Sequence, residues 1–244
     1  MFFRAESFTP VGRIGHSSVL VENKLYFFGG ADGGCFNEVF YLDVSKSFDF
    51  AVPPWVDLAG IPFKSCWGTV SLNDVQQTIY LFGGHMDDLT TNKDAFISNV
   101  HSFDLNSLTW NVPNIKGIPP KRRKYLKSVI DDTGKIYIFG GYTDKYFGES
   151  GPAHFNDMVI LDTVGLSWSI STPVDSPASR SGYTATLLSS GVIVYIGGEE
   201  EDEVEGFHQV SINQIDLFDT KSLTWSVKVR MKVNLYLLNI LLFK

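Results

Sequence analysis

Two blocks of charge hold the side chains best suited to chemistry in this 244-residue chain. The first, Glu199-Glu200-Glu201-Asp202-Glu203-Val204-Glu205, sets six carboxylates in seven positions. Such a run reads as a solvated loop tip, as a docking patch for a basic partner, or as a weak divalent-cation site of oxygen ligands. The second, Lys121-Arg122-Arg123-Lys124, can pair with the acidic run or form a docking patch of its own. A third stretch, Tyr142-Thr143-Asp144-Lys145-Tyr146-Phe147-Gly148, places aromatic rings beside charges. Interface hot spots are built from that mixture, although a long loop packing on itself uses the same residues.

Covalent catalysis finds less support. No Gly-x-Ser-x-Gly elbow is present, and Thr133-Gly134-Lys135-Ile136 lacks the preceding glycine and following hydroxyl of a phosphate-binding loop. The histidines His16, His85, His101, His154 and His208 are scattered along the chain. A net charge of −7 argues against general affinity for nucleic acid or an anionic membrane surface. Hydrophobic content of 44% and charged content of 19% suit a folded domain. The start, Met1-Phe2-Phe3-Arg4, is followed by no apolar core long enough for a signal peptide, and no Asn-x-Ser/Thr acceptor occurs. The cytoplasm is therefore the default compartment, with the cell surface or secretion as the alternative.

The elements that must position these residues announce themselves by repetition. Tyr26-Phe27-Phe28-Gly29-Gly30 returns as Tyr80-Leu81-Phe82-Gly83-Gly84, as Tyr137-Ile138-Phe139-Gly140-Gly141, and as Tyr195-Ile196-Gly197-Gly198. The first glycines are 54, 57 and 57 residues apart. A fixed period of that size marks a repeat architecture. Each pair is followed by an Asn-led apolar strand ending in an acid: from Asn37 to Asp43, Asn99 to Asp104, Asn156 to Asp162 and Asn213 to Asp219. Trp55, Trp110, Trp168 and Trp225 close the units, and β-rich runs at 16–21, 67–72, 125–130 and 183–188 open them. Every unit reads as four short strands. Glycine supplies the positive φ and close approach of a strand ending in a packed bend. The tryptophans suit the wedge between neighbouring units, with the indole N–H finding a partner.

This pattern resembles the kelch repeat, over roughly residues 12–228. The resemblance implies an all-β fold of kelch-type β-propeller blades, four repeats of four antiparallel strands, at 12–58, 62–113, 119–171 and 177–228. The kelch domain occupies 1–230 and an apolar tail 231–244. An Arg before the first strand matches at Arg13, Arg123 and Arg180; blade two departs, with Ser65-Cys66-Trp67-Gly68. Closed propellers take about four to eight blades, so four imply a partial propeller with two apolar flanks and a tendency to self-associate. The tail reads as an added strand or helix on blade four, as an anchor, or as a ragged end, the first and last being favoured. In this layout Cys35 and Cys66 lie on one face, as a disulfide or, preferably, as two ordinary thiols.

The resemblance further implies a non-enzymatic protein–protein interaction scaffold without cofactors, acting through loops on one face. The recognition residues expected there are Asp32, Phe36, His85, Asp87, Lys121, Arg122, Arg123, Lys124, Tyr142, Asp144, Tyr146, Phe147, Arg180, Glu199, Glu200, Glu201, Asp202 and His208. The partner is a protein, with no nucleic acid and no membrane-spanning segment. One alternative is a galactose oxidase-like or metal-dependent enzyme fragment, another a truncated fragment without activity. The copper ligands of galactose oxidase find no residue-by-residue match. The iron-binding Glu-x-x-x-Asp-x-x-x-His pattern of plant kelch specifier proteins meets Glu200, Val204 and His208, and fails at Val204.

Overall fold

A computed structural model describes residues 8–147, 151–171, 175–202 and 206–229. The predicted tail, the acidic positions 203 and 205, and Gly148 lie outside the described residues. Four four-stranded antiparallel sheets follow one another, each a simple meander. Blade one consists of Ser17–Val21, Lys24–Phe28, Val39–Asp43 and Trp55–Leu58. Blade two runs through Thr69–Asn73, Thr78–Phe82, Val100–Asp104 and Thr109–Asn111. Blade three contains Ser128–Ile130, Lys135–Phe139, Met158–Asp162 and Ser167–Ser171. Blade four contains Thr184–Leu187, Val192–Ile196, Gln214–Asp219 and Thr224–Val229.

The second and third strands carry apolar residues on both faces because each is packed on both sides. Tyr26 and Phe28 join Ile79, Leu81 and Phe103 between blades one and two. Tyr80 and Phe82 join Ile136, Ile138 and Leu161 between two and three. Tyr137 and Phe139 join Ile193, Tyr195 and Phe218 between three and four. Three of the closing tryptophans sit in these wedges, whereas Trp55 packs on Phe27 and Phe40 of its own blade. Trp110 meets Phe28 at 6.0 Å, Trp168 meets Phe82 at 5.9 Å, and Trp225 meets Phe139 at 4.6 Å, each on the preceding blade. The expected partner for the indole N–H is missing at Trp110 and Trp225, where the nitrogens are buried without one among the described residues. Ring contact alone holds them.

The recurring acid after each third strand has a local cause. Asp104 Oδ1 accepts the amides of Asn106 and Ser107, Asp162 Oδ1 those of Val164 and Gly165, and Asp219 Oδ1 those of Lys221 and Ser222. Each carboxylate closes the hairpin into the Trp strand as an Asx turn.

Cys35 and Cys66 are joined by a disulfide, with Cα atoms 5.4 Å apart across 31 residues of sequence. This corrects the preference for two thiols. An antiparallel bridge between Phe36 and Ser65 sets the two neighbouring cysteines side by side across the blade one–two junction. Opening a loop of that length should lower stability by about 3–4 kcal/mol, roughly 10 °C in melting temperature. A thermal scan with and without reductant checks this; coincident transitions would show that the bond does not form in solution.

Candidate functional site

The arginines before the first strands do not face solvent. Arg123 is 1% exposed and Arg180 0%. Arg123 donates to Gly140 O at 2.8 Å, forms a two-pronged pair with Asp157 at 2.5 and 3.0 Å, and lies 4.1 Å from the Phe155 ring centre. Arg13 repeats the scheme in blade one, donating to Gly29 O at 2.9 Å and pairing with Glu38. Arg180 holds Glu200 through Nε at 2.9 Å and Asp216 at 2.7 Å. Each guanidinium binds the loop after the Gly pair to its own blade. Arg123 and Arg180 are therefore removed from the recognition set, because both are buried against carboxylates of their own chain.

The described part of the acidic run is ordered as backbone. Glu199–Asp202 is a strand, paired with Gly206–Gln209. Strand geometry turns successive side chains to opposite sides. Glu200 points inward and is buried on Arg180, whereas the side chains of Glu199 and Glu201 remain 51% and 37% exposed. The block is thus divided, and Glu200 is withdrawn as a docking residue. Within the basic run, Arg122 and Lys124 bind other acids. Arg122 takes Asp94 in two bonds of 2.7 Å and stacks over Phe96 and Phe147, while Lys124 bonds Asp144 at 2.9 Å. Phe147 is buried beneath Arg122, and the Tyr146 hydroxyl donates to Asp87. Phe147 belongs to loop self-packing, whereas Tyr146 remains exposed.

What these supports create is a cleft of about 860 Å³ between the loops of blades three and four. Lys124, Tyr142, Asp144 and Glu199 line it, as do Tyr125, His154, Ser181, Phe207 and Gln209, which the sequence reading missed. Tyr142–Thr143 pairs with Ala153–His154 in register, so Tyr142 lies opposite His154 with ring centres 5.0 Å apart. Phe207 lies 5.1 Å from the same imidazole and is half exposed. His154 Nε2 stands 3.0 Å from Ser181 Oγ, and Nδ1 3.5 Å from Glu201. Asp144 and Glu199 set two carboxylates against the Lys124 ammonium along the cleft walls. The Tyr142 phenol is raised by burial and then by Asp144, Glu199 and Glu201. The His85 imidazole, 3.0 Å from Lys124 Nζ, is lowered by burial and by that ammonium. Asp32, Phe36, Asp87 and Lys121 do not line this cleft, and His208 sits against Glu200 at 3.8 Å. Among the described residues, no three of His, Cys, Asp and Glu converge as a metal site, and no helix is long and apolar enough to cross a membrane.

A family model described as the KLHDC2/KLHL20/DRC7 Kelch-repeats domain matches residues 15–235. The chain belongs to the kelch-repeat family. Kelch domain-containing protein 3 of Homo sapiens is 29% identical over 233 residues, covering 87% of this chain and 56% of that protein. Rab9 effector protein with kelch motifs, from Gallus gallus, is 25% identical over 195 residues, covering 77% of this chain and 48% of that protein. The chain thus spans about half the length of these curated relatives. A solved structure titled "Structure of YjhT" superposes with a TM-score of 0.69 at 16% identity, over 92% of this chain and 68% of that one. That likeness carries the fold alone.

Against the kelch pattern, blade two departs as a unit. Ser65 stands where the other blades have Arg, and Asn99 where they have Glu38, Asp157 or Gln214. Asn99 therefore sits one place later than the Asn that leads the other strands, which the sequence alignment of the units obscured. Its Nδ2 donates to Pro120 O at 2.5 Å. Losing both members of a buried ion pair together leaves no orphaned charge. His101, the blade-two counterpart of Phe40, is buried against Phe63 at 4.5 Å, with neither ring nitrogen bonded among the described residues. Burial lowers it from 6.5 to about 4. Above pH 6.5 it is neutral folded and unfolded, and contributes nothing. Below that, the unfolded chain takes up a proton that the folded chain refuses. Stability should therefore fall between pH 6.5 and 4 by about 1.4 kcal/mol per unit, about 3 kcal/mol in all. Urea unfolding of His101→Phe at pH 7, 5.5 and 4.5 should lack this slope; an unchanged slope would place its origin elsewhere.

Proposed function

We infer that this chain is a non-enzymatic protein-binding module that recognises a basic, extended segment of a partner in the cleft between blades three and four. The observation that carries the reading is the cleft itself: half-exposed Phe207 and partly buried Tyr142 as aromatic walls, exposed Glu199 at the rim, and Glu201 beside His154. Rigid rings supply contact area, and carboxylates beside them favour lysine or arginine through ion pairs and cation–π contact. The kinship supports the coarser half of the reading, since one relative is by name a Rab9 effector. The charge at the rim orients the approach, and the rings set the residence time.

The test is quantitative affinity capture with the wild-type chain and with Glu199→Lys/Phe207→Ala. Both changes are at exposed positions, so matched melting curves are expected. The partners that matter should fall at least tenfold in the variant, and synthetic basic peptides from them should compete. A captured set that does not change would remove the cleft from recognition.

A further inference from the structure

The two hairpins that wall the cleft bring their aromatic rings together. Tyr142 lies opposite His154 in one, and Phe207 opposite Glu201 in the other. The ring centres of Tyr142 and Phe207 are 5.0 and 5.1 Å from that of His154, and Tyr125 stands 6.0 Å from Tyr142. The planes of these pairs are inclined at 62°, 54° and 43° in the same order. One connected set of rings, none parallel to the next, thus lines a single concave space. Ser181 Oγ, 3.0 Å from Nε2, fixes the imidazole among them.

Tyr125 holds its place under strain. Its φ is +58°, in the left-handed region that a bulky side chain rarely enters. It stands two residues after Arg123, and the residues two after Arg13 and Arg180 are Gly15 and Gly182, with φ of +63° and +67°. Trp67 occupies the same place in blade two, with φ of +63°, and buttresses Tyr125 with ring centres 5.0 Å apart. The backbone at this place is suited to glycine, yet blade three presents a ring to the cleft there. Strain of this kind collects at binding sites and ligand clamps.

We propose that these rings form a cage for a trimethylated lysine of the partner segment. The inference rests on the reading of the cleft as a site for a basic segment, and names the side chain it takes. A quaternary ammonium is held by ring faces and a nearby carboxylate, and it brings no N–H that must be satisfied. An unmodified ammonium or a guanidinium brings several donors, each needing an acceptor once water is displaced. Two acceptors of the cleft are already engaged. Asp144 takes the Lys124 ammonium and the Tyr146 amide, both at 2.9 Å, and Ser181 Oγ is paired with His154. The Lys124 charge is thereby balanced within the chain, which leaves the exposed Glu199 carboxylate for the incoming cation. At about 860 Å³ the cleft is larger than one side chain needs, with room for the backbone that carries it.

The test applies the full chain to an array of peptides with randomised flanks. Their central residue is lysine, trimethyllysine, or the neutral analogue with carbon in place of the quaternary nitrogen. Bound sequences are then titrated in solution by fluorescence anisotropy. Trimethyllysine peptides should bind about tenfold tighter than either of the other forms. In Phe207→Ala, where the lost ring is half exposed, that preference should vanish, and in Phe207→Trp it should persist. Equal binding of lysine and trimethyllysine would overturn the inference and leave the basic-segment reading standing. Equal binding of the neutral analogue, or a preference that survives Phe207→Ala, would overturn it as well. Tighter binding of phosphatidylcholine vesicles than of any peptide would overturn it by assigning the rings to a lipid headgroup. Absence of binding to every form would overturn the inference too, and capture with Glu199→Lys/Phe207→Ala then judges the cleft reading by itself.

Discussion

Arg180→Ala should lower the unfolding free energy by about 3–5 kcal/mol at pH 7, the range for breaking one side of a buried ionic cluster. The guanidinium is fully buried, and both of its carboxylate partners, Glu200 and Asp216, are buried with it. Removing it leaves two charges in a low-dielectric site with little water to replace the lost partner. Asp216 is already raised by burial, an effect that Arg180 partly offsets. Without Arg180 the carboxyl rises further, so the folded variant binds a proton that the unfolded chain gives up. A raised carboxyl loses stability as pH rises, so the deficit should shrink as pH is lowered towards the carboxylate range. Arg180→Met/Glu200→Gln/Asp216→Asn, which removes the charges together, should recover most of the loss. Urea unfolding of the three proteins at pH 7 and 5 is the measurement. Equal stability of Arg180→Ala and wild type would mean that the cluster is hydrated and does not anchor the acidic strand.

Gly140→Ala and Gly197→Ala should differ sharply although they change the same place in the repeat. At Gly140, φ is +58°, and a β-carbon would collide with the carbonyl oxygens of Arg180 and Phe155. Backbone strain and overpacking together imply about 3–4 kcal/mol. At Gly197, φ is +68° and nothing among the described residues lies within 4 Å of a β-carbon, so only the strain remains, about 1 kcal/mol. The difference should be about 5–10 °C in melting temperature. Similar losses at both sites would mean that chain outside the described residues packs on Gly197.

The repeat was legible because its marks are local. A strand that ends in two glycines, an acid that closes a hairpin, and a tryptophan at fixed phase need only a few neighbours to make sense, and each does in the fold what its chemistry suggests. The site was less legible because burial is not local. Arg123 and Lys124 are adjacent and alike in sequence, yet one is consumed by Asp157, 34 residues on, and the other borders the cleft. The acidic run looks uniform, but as a strand it sends Glu200 to Arg180 and leaves Glu199 at the rim. His154 had a faint signal: it precedes Phe155 as Cys35 precedes Phe36, so it occupies the loop position facing the next blade. Counting back from the Asn-led strands would have found it, because Cys35 and His154 each stand two places before Asn37 and Asn156.

Hydrogen exchange of the chain, alone and with the partner segment recovered by capture, tests the recognition surface most directly. The account predicts new protection in Tyr142–Thr143, Ala153–His154 and Gly206–Gln209, the strands that wall the cleft. It predicts no change in the outer strands Trp55–Leu58 and Thr109–Asn111. Protection confined to those outer strands, with the cleft strands unaltered, would contradict it.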